Sequence, residues 1–350
     1  MKQYSRDEII SEAQNGRTKQ PDFTQRKESG RSAGQSGTGG GSTEVQIKKR
    51  SPLQAMKKFF CCVSFCIMLL STAIIHAGFA EELPPMQLHQ VNVGCANCHL
   101  LIAGETVILI DGGTNRYKPS LAPAGKPETG NSPDEMLRYV AASGIDHIDA
   151  HFVTHYHNDH TQQIPEFSLA YGTDHTVLYG PSEKLPDRYL PLPHGTYQQL
   201  RNGEEIHLGP FHILCVGPRV VQREGEINED SLNLLITYGK IRMLFTGDYM
   251  YDEVCESYGS LVKNVDIFIF PHHGLTPYAV TSGALQILHP GIILLPGDAE
   301  GMLRSFCLSH RWHFPIYGNR HGNIMIESDG AEIQVHEQVQ PGEFAVNVSF

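Results

Sequence analysis

Two things are scarce in this chain of 350 residues: cysteines able to pair, and positive charge. Of its eight cysteines, three (Cys61, Cys62 and Cys66) lie inside a single apolar run. The five outside it, Cys95, Cys98, Cys215, Cys255 and Cys307, are odd in number, which excludes a complete disulfide framework. A large apolar core, not cross-links, must hold such a chain together. Basic residues are scarce where they would matter for nucleic acid. The first 80 residues hold 12 of the 27 Lys/Arg but only 6 of the 38 Asp/Glu, so the remainder carries 15 against 32, near −17 with histidine neutral. A surface this acidic repels long polyanions, and extended nucleic-acid binding is not expected. No internal repeat at a solenoid period is present.

The apolar run is MKKFFCCVSFCIMLLSTAIIHAGFAEE, starting at Met56. Two lysines precede an uncharged stretch from Phe59 to about Ala80, which ends in small residues before Glu81-Glu82. That is the layout of a secretory signal peptide, with cleavage expected after Ala77 or Ala80. A signal normally begins its chain, so Met56 is the expected natural start and residues 1–55 an over-called extension. Those residues are polar, include GRSAGQSGTGGGS, and carry no apolar period, so disorder is expected there. The competing reading keeps a basic tail and an uncleaved membrane anchor over 56–80, since a run of about 20 residues can span a bilayer. In both readings residues 81–350 form one exported domain, periplasmic or secreted, or anchored and facing outward.

From Gln87 onward, strand-like and helix-like segments interleave. LHQVNVG and CHLLIAGETVILIDGG read as consecutive strands turning at Gly104, the latter nearly all apolar as buried strands are. Residues 115–131 read as a loop, and NSPDEMLRYVAASG as a helix with Ser132 as N-cap, Pro133 in the first turn and Glu135 completing the cap. HIDAHFVT is a short strand, residues 171–220 read as short strands and loops, and SLNLLITYG with KIRMLFTGD forms a strand–turn–strand unit. A helix over YDEVCESYGSLV, the strand VDIFIF, helices near 280–288 and 299–308, and closing strands complete the chain. Strands dominate each half with helices between them, which predicts two packed sheets with helices outside.

Each polar cluster follows an apolar strand directly: IDGG after VIL, HYHNDH after HFVT, GD after MLFT, and HHG after IFIFP. Strand ends deliver side chains to one rim of a sheet, where loops converge. In HYHNDH, the alternate residues His155 and His157 can point the same way from an extended loop, with Asp159 and His160 addressing a second point. Imidazole and carboxylate together suit zinc, manganese or iron, and two metals about 3.5–4 Å apart are a known hydrolytic arrangement. Asp248 is the candidate for a bridging carboxylate, and His272 or His273 for closing the second site.

His155-x-His157-x-Asp159-His160, with Asp111 in LIDGG upstream and Asp248 in TGD downstream, resembles the metallo-β-lactamase-fold superfamily over about residues 87–337. The resemblance implies an α+β four-layer αββα sandwich. VNVGCANCHLLIAGETVILIDGG, EDSLNLLITYGKIRMLFTGD and VDIFIFPHHG are similar, more narrowly, to the hydrolase domain of the competence protein ComEC and its soluble, phosphorylcholine-esterase-like relatives. In this branch an Asn/Asp-Ser stretch stands where others carry a Gly-His motif with a third histidine for the first metal. Here the stretch is Asn228-Glu229-Asp230-Ser231, with no GHT or GHS between His160 and Asp248. The first metal is thus expected to have fewer protein ligands, or assistance from Asp230. His175, His194, His207 and His212 read as ordinary loop or strand residues. Thr161-Gln162-Gln163 departs from a common Gly-Gly pair without removing a ligand.

The resemblance implies hydrolysis by a metal-bridging hydroxide. His155 and His157 hold the first metal, Asp159 with His160 or one of His272/His273 the second, Asp248 bridges, and Asp111 orients a ligand histidine. Zn2+ at two sites is expected, the first partly occupied, with Mn2+ or Fe2+ as alternatives. The branch and the negative charge point to a small phosphoester or phosphodiester, such as a phosphorylcholine group or a nucleotide. The competing readings are a carboxylic ester, lactone or amide hydrolase of the same fold, and a non-catalytic metal-bearing surface sensor. Cys95-Ala96-Asn97-Cys98-His99 matches a haem-attachment spacing, but it joins strands that must pair, and a haem there would split the sheet.

Overall fold

The structure is a computed structural model that describes residues 83–114, 133–274, 279–297, 299–319, 322–339 and 348–349. The expected extension over 1–55, the apolar run over 56–80, the loop at 115–131 and the Ser132 cap lie outside the described residues. Among the described residues, no helix is long and apolar enough to cross a membrane.

The chain builds two mixed sheets. The first begins with β1 (Met86–Gln90), β2 (His99–Ala103) and β3 (Thr106–Ile110), and continues through β4 (Ala150–Phe152), β5 (Val177–Gly180) and β6 (Thr196–Gln199). After the chain has built the second sheet it returns to the first with β14 (Asn323–Ser328), β15 (Ile333–Val339) and β16 (Val348–Ser349), giving the order β16-β15-β14-β1-β2-β3-β4-β5-β6. The second sheet contains β7 (Glu205–Leu208), β8 (Phe211–Gly217), β9 (Asn233–Tyr238), β10 (Ile241–Phe245), β11 (Ile267–Ile269), β12 (Ile292–Leu295) and β13 (Ile316–Gly318). Its order is β13-β12-β11-β10-β9-β8-β7. In the first sheet β1, β2 and β3 pair antiparallel and β3, β4, β5 and β6 pair parallel. The second divides the same way: β8, β9 and β10 are antiparallel, while β10, β11, β12 and β13 are parallel.

Side-chain alternation sorts these strands into layers. Leu88, Leu101, Ile108, Ile110 and Phe152 of the first sheet meet Ile213, Leu234, Ile236, Met243, Phe245 and Ile269 of the second in one buried cluster between the sheets. The intervening residues Leu100, Val107 and Leu109 face outward, under α1 (Pro133–Ala142) and α3 (Ile164–Tyr171), which bury Met136, Tyr139, Val140 and Phe167. On the other side Leu235, Leu244, Phe268 and Ile293 pack beneath α4 (Asp252–Val262), α5 (Ser282–Leu288) and α6 (Glu300–Ser309), through Val254, Leu285, Leu288 and Leu303. The result is helix, sheet, sheet, helix. Both faces of the central strands are covered, which is why VILI of β3 and IFI are apolar throughout rather than alternating. The expected four-layer αββα sandwich is the architecture observed. The α3 helix was not among the expected elements; it follows the one-turn helix α2 (Asn158–Thr161) almost directly.

What positions the site is strand direction. β3, β4, β10 and β11 all run toward the same rim, in register at Ile110↔Phe152 and Phe245↔Ile269. The residues that follow these pairs, Asp111, Thr154–His160, Asp248 and His272–His273, therefore emerge together.

Candidate metal centre

The spacing of HYHNDH is explained by a change of backbone at its midpoint. His155 follows β4 in a non-helical stretch, and His157 is extended (φ −67°, ψ 148°) as the N-cap of α2. Two-residue spacing on extended chain puts both imidazoles on one side, with His155 Nε2 3.0 Å from His157 Nδ1. Asp159 and His160 then lie in the first helical turn, so they reach a different point. That turn is pressed against the IDGG segment: the Gly112 N–H donates to the His160 carbonyl at 2.7 Å. A Cβ on Gly113 would sit 1.9 Å from the Asp159 carbonyl oxygen, so only glycine admits this approach.

Asp248 stands between two groups of ligands. His160 Nε2 and His273 Nε2 lie 3.1 and 3.6 Å from its Oδ1. His155 Nε2 lies 3.9 Å from its Oδ2 and His272 Nε2 4.0 Å from the same oxygen. Asp159, His160, Asp248 and His273 form one cluster with ligand atoms within 4.8 Å of one another, and His155, His157 and Asp248 form a second. Asp159 Oδ2 is 3.2 Å from His273 Nε2. The structure thus brings together His155, His157, Asp159, His160, Asp248 and His273, with His272 nearby, and it separates the two adjacent histidines. His273 is buried among the ligands, whereas His272 is half-exposed and lies 3.4 Å from Asn228 Nδ2. Both adopt a left-handed backbone (φ 53°), which turns one ring inward and the other toward solvent.

The ring nitrogens turned away from the clusters are engaged. His160 Nδ1 meets Asp111 Oδ2 at 2.8 Å, His273 Nδ1 meets the Pro296 carbonyl at 3.2 Å, and His157 Nε2 meets the Glu226 carbonyl at 3.2 Å. His155 Nδ1 has two hydroxyls, Thr154 Oγ1 and Ser231 Oγ, each at 3.3 Å. Such outer partners fix ring orientation, as metal-ligating histidines require. Asp111 is itself held by the Thr154 N–H at 2.8 Å and the Thr154 hydroxyl at 3.0 Å, both donating to Oδ1.

Strong opposed charges meet in a largely buried site. Burial alone would lower the pKa of His160, but Asp248 and Asp111 on either side outweigh it and hold it well above the ordinary histidine range. Burial alone would raise Asp248, but His160, His273 and His155 hold it well below the carboxylate range. Burial likewise acts to raise Asp159, and the His273 bond, with His160, brings it down to about 2. His155 is held well below its ordinary value, by burial first and then by His160. His160 Nε2 and Asp248 Oδ1 are buried and close, yet neither makes a well-aligned hydrogen bond. At 3.1 Å the two attract each other strongly, and a cation seated between them would satisfy both. The donor set of imidazole and carboxylate fits a divalent transition metal at each cluster.

Some participants were not legible beforehand. Asp230, considered as an aid to the first site, instead accepts three backbone N–H groups, from Gln222, Arg223 and Gly225 at 2.6, 2.8 and 2.9 Å, and so shapes its own loop. Ser231 is the residue at the site: its hydroxyl reaches His155 and accepts the Asp248 N–H at 3.0 Å. His99, in the CxxCH segment, lies buried near Asp111, His160 and His273 with neither ring nitrogen hydrogen-bonded, and burial pushes its pKa down to about 4. It sits inside β2, paired with Ile110, a position that leaves no space for a haem. His151 is buried and its pKa falls to about 4; His147 is an outer residue paired with Asp146 at 2.7 Å.

The sequence pattern of a protein family described as the beta-lactamase superfamily domain matches residues 106–315, more than half of the chain. Among solved structures, the metallo-beta-lactamase fold protein YhfI from Bacillus subtilis is similar at 17% identity and a TM-score of 0.46, over 70% of this chain and 100% of that one. The diiron beta-hydroxylase CmlA from Streptomyces venezuelae is similar at 12% identity and a TM-score of 0.42, over 67% of this chain and 53% of that one. A diphosphatase from the PhnP family is similar at 14% identity and a TM-score of 0.40, over 67% and 94%. No curated protein matches the chain.

Proposed function

The chain belongs to the beta-lactamase superfamily and is a metallo-hydrolase of that superfamily; from this we propose that it is an exported enzyme that cleaves small phosphoesters or phosphodiesters with two Zn2+ ions. The observation that carries the two-metal reading is the position of Asp248, one carboxylate oxygen toward each cluster. Metals bound there would supply a water of pKa near 7 and an electrophile for a phosphoryl oxygen.

The chain's own residues do the rest. His155 and His157 would hold one metal, and Asp159, His160 and His273 the other. Asp111 keeps His160 oriented, with Nε2 toward Asp248, and raises its basicity. His272 and Asn228, both half-exposed, are set to hold the substrate's non-reacting oxygens. Tyr249, which follows Asp248 in the chain, stands edge-to-face with Tyr251 at 4.8 Å, and both feel the charge of Glu229. The net negative charge of residues 81–350 disfavours a long polyanion and favours a substrate whose leaving group is neutral or cationic, of which phosphorylcholine esters are one kind. The signal-like run from Met56 supports export.

The test is turnover by the metal-loaded protein of bis-p-nitrophenyl phosphate, p-nitrophenylphosphorylcholine and a simple lactone, with His157→Ala as control. Control-sensitive cleavage of either phosphodiester is the expected result. Cleavage of the lactone alone would replace this reading with a carboxylic-ester hydrolase. Metal binding without turnover of any of the three would favour a non-catalytic sensor.

A further inference from the structure

Two histidines that read as ordinary strand residues meet on the far strands of the second sheet. β7 is its edge strand, joined to β8 by a tight turn at Gly209-Pro210 in which Gly209 has φ +50°. Ile206 and Leu208 pack toward the inter-sheet core, so alternation turns Glu205 and His207 outward. The register sets His207 directly opposite His212. Their rings stack with centroids 4.6 Å apart and planes 22° from parallel. Glu205 Oε2 lies 3.1 Å from His212 Nε2. One ligand atom from each of Glu205, His207 and His212 lies within 4.8 Å of the others.

We propose that Glu205, His207 and His212 form a third metal site, a surface clasp for Zn2+ or a similar borderline transition metal, independent of the catalytic centre. Two imidazoles and one carboxylate are a donor set that such ions accept, with a fourth position left to water. Bonds of about 2.0–2.2 Å to a tetrahedral ion call for donors somewhat closer than 4.8 Å, which side-chain rotation alone provides because all three residues are on the open face of the hairpin. The backbone already supplies the harder part, since directly opposed residues keep their Cβ atoms about 5 Å apart. The site shares no residue with the two clusters around Asp248. An ion here would tie the edge strand to its neighbour across the turn.

The experiment compares the full chain with the double variant His207→Gln/His212→Gln and with Glu205→Gln, each dialysed against micromolar free Zn2+ and analysed for metal per chain. The wild type is expected to hold one more equivalent than the double variant, Glu205→Gln to bind that equivalent more weakly, and the hydrolytic rate to stay the same in all three. Zinc is also expected to raise the Tm of the wild type more than that of the double variant. The comparison is a difference between proteins that keep the same catalytic residues, so it does not depend on how fully those sites load. Equal metal content and equal Tm shifts in wild type and both variants would overturn the proposal and leave a simple His–Glu ion pair. Near-ultraviolet circular dichroism establishes that each variant is folded; if the double variant is not, Glu205→Gln against wild type decides by the same criterion.

Discussion

The two halves of the metal centre share Asp248 but are built to different standards. The half formed by Asp159, His160 and His273 has three protein ligands besides the shared carboxylate, two of them fully buried imidazoles anchored by Asp111 and by the Pro296 carbonyl. The half formed by His155 and His157 has two, of which His157 is partly exposed and His155 is anchored only by hydroxyls at 3.3 Å. Where a third histidine would complete it, the chain places Ser231. More donors, deeper burial and charged anchoring all favour tighter binding. The difference predicts that a metal in the first half would be held the more tightly, and that one in the second would exchange more readily and keep coordination positions open for substrate.

The largest effect belongs to the residue the halves share. Asp248→Ala is expected to remove both metals while the fold persists, and to lower kcat/KM by about 10³-fold or more; metal analysis and circular dichroism on one sample check it, and unchanged metal content would contradict it. His157→Ala sharpens the contrast. It should lose about one equivalent, whereas His273→Ala should perturb the tighter site, so metal titrations of the two variants must differ in which affinity class disappears. Equal loss in both would break the comparison. A smaller effect is expected from Asp111→Asn, which leaves His160 in place but withdraws the charge behind it. A drop of about 10–100-fold in metal affinity or activity follows, with the tighter site affected more.

The smallest effect is seen without metal. The Asp159 carboxylate is lowered from 3.8 to about 2 in the folded chain. It therefore stabilises the metal-free fold at pH values above 3.8, by about 2 kcal/mol at most, and that contribution is lost as the pH falls through 2. His160 has the opposite sign: its raised pKa contributes fully below its ordinary value of 6.5 and is lost as pH rises through the folded value. Urea unfolding of metal-free wild type and Asp159→Asn should differ at pH 5 and converge toward pH 2.

Much of this was legible because the decisive residues are local. His155, His157, Asp159 and His160 lie in one six-residue stretch, and each remaining group follows an apolar strand whose run is unmistakable. What was hidden depends on distant contact. Ser231 and Asp230 are adjacent, and nothing in their types says that the serine faces His155 while the aspartate is consumed by the backbone of residues 222–225. Choosing His273 over His272 required two consecutive left-handed residues, a property of the turn rather than of histidine. The α3 helix escaped notice because it is only eight residues long, starts at Ile164-Pro165, and follows the ligand loop without a cap signal. His99 was masked by its place in a CxxCH spacing, and its isolation is visible only in the folded core. The Glu205–His207–His212 group needed the hairpin register.

The most direct test of the account is anomalous X-ray diffraction from crystals grown with Zn2+. Two peaks about 3.5–4 Å apart are expected, with one carboxylate oxygen of Asp248 near each, and higher occupancy at the peak beside Asp159, His160 and His273. A single peak, or two peaks that do not share Asp248, would contradict it.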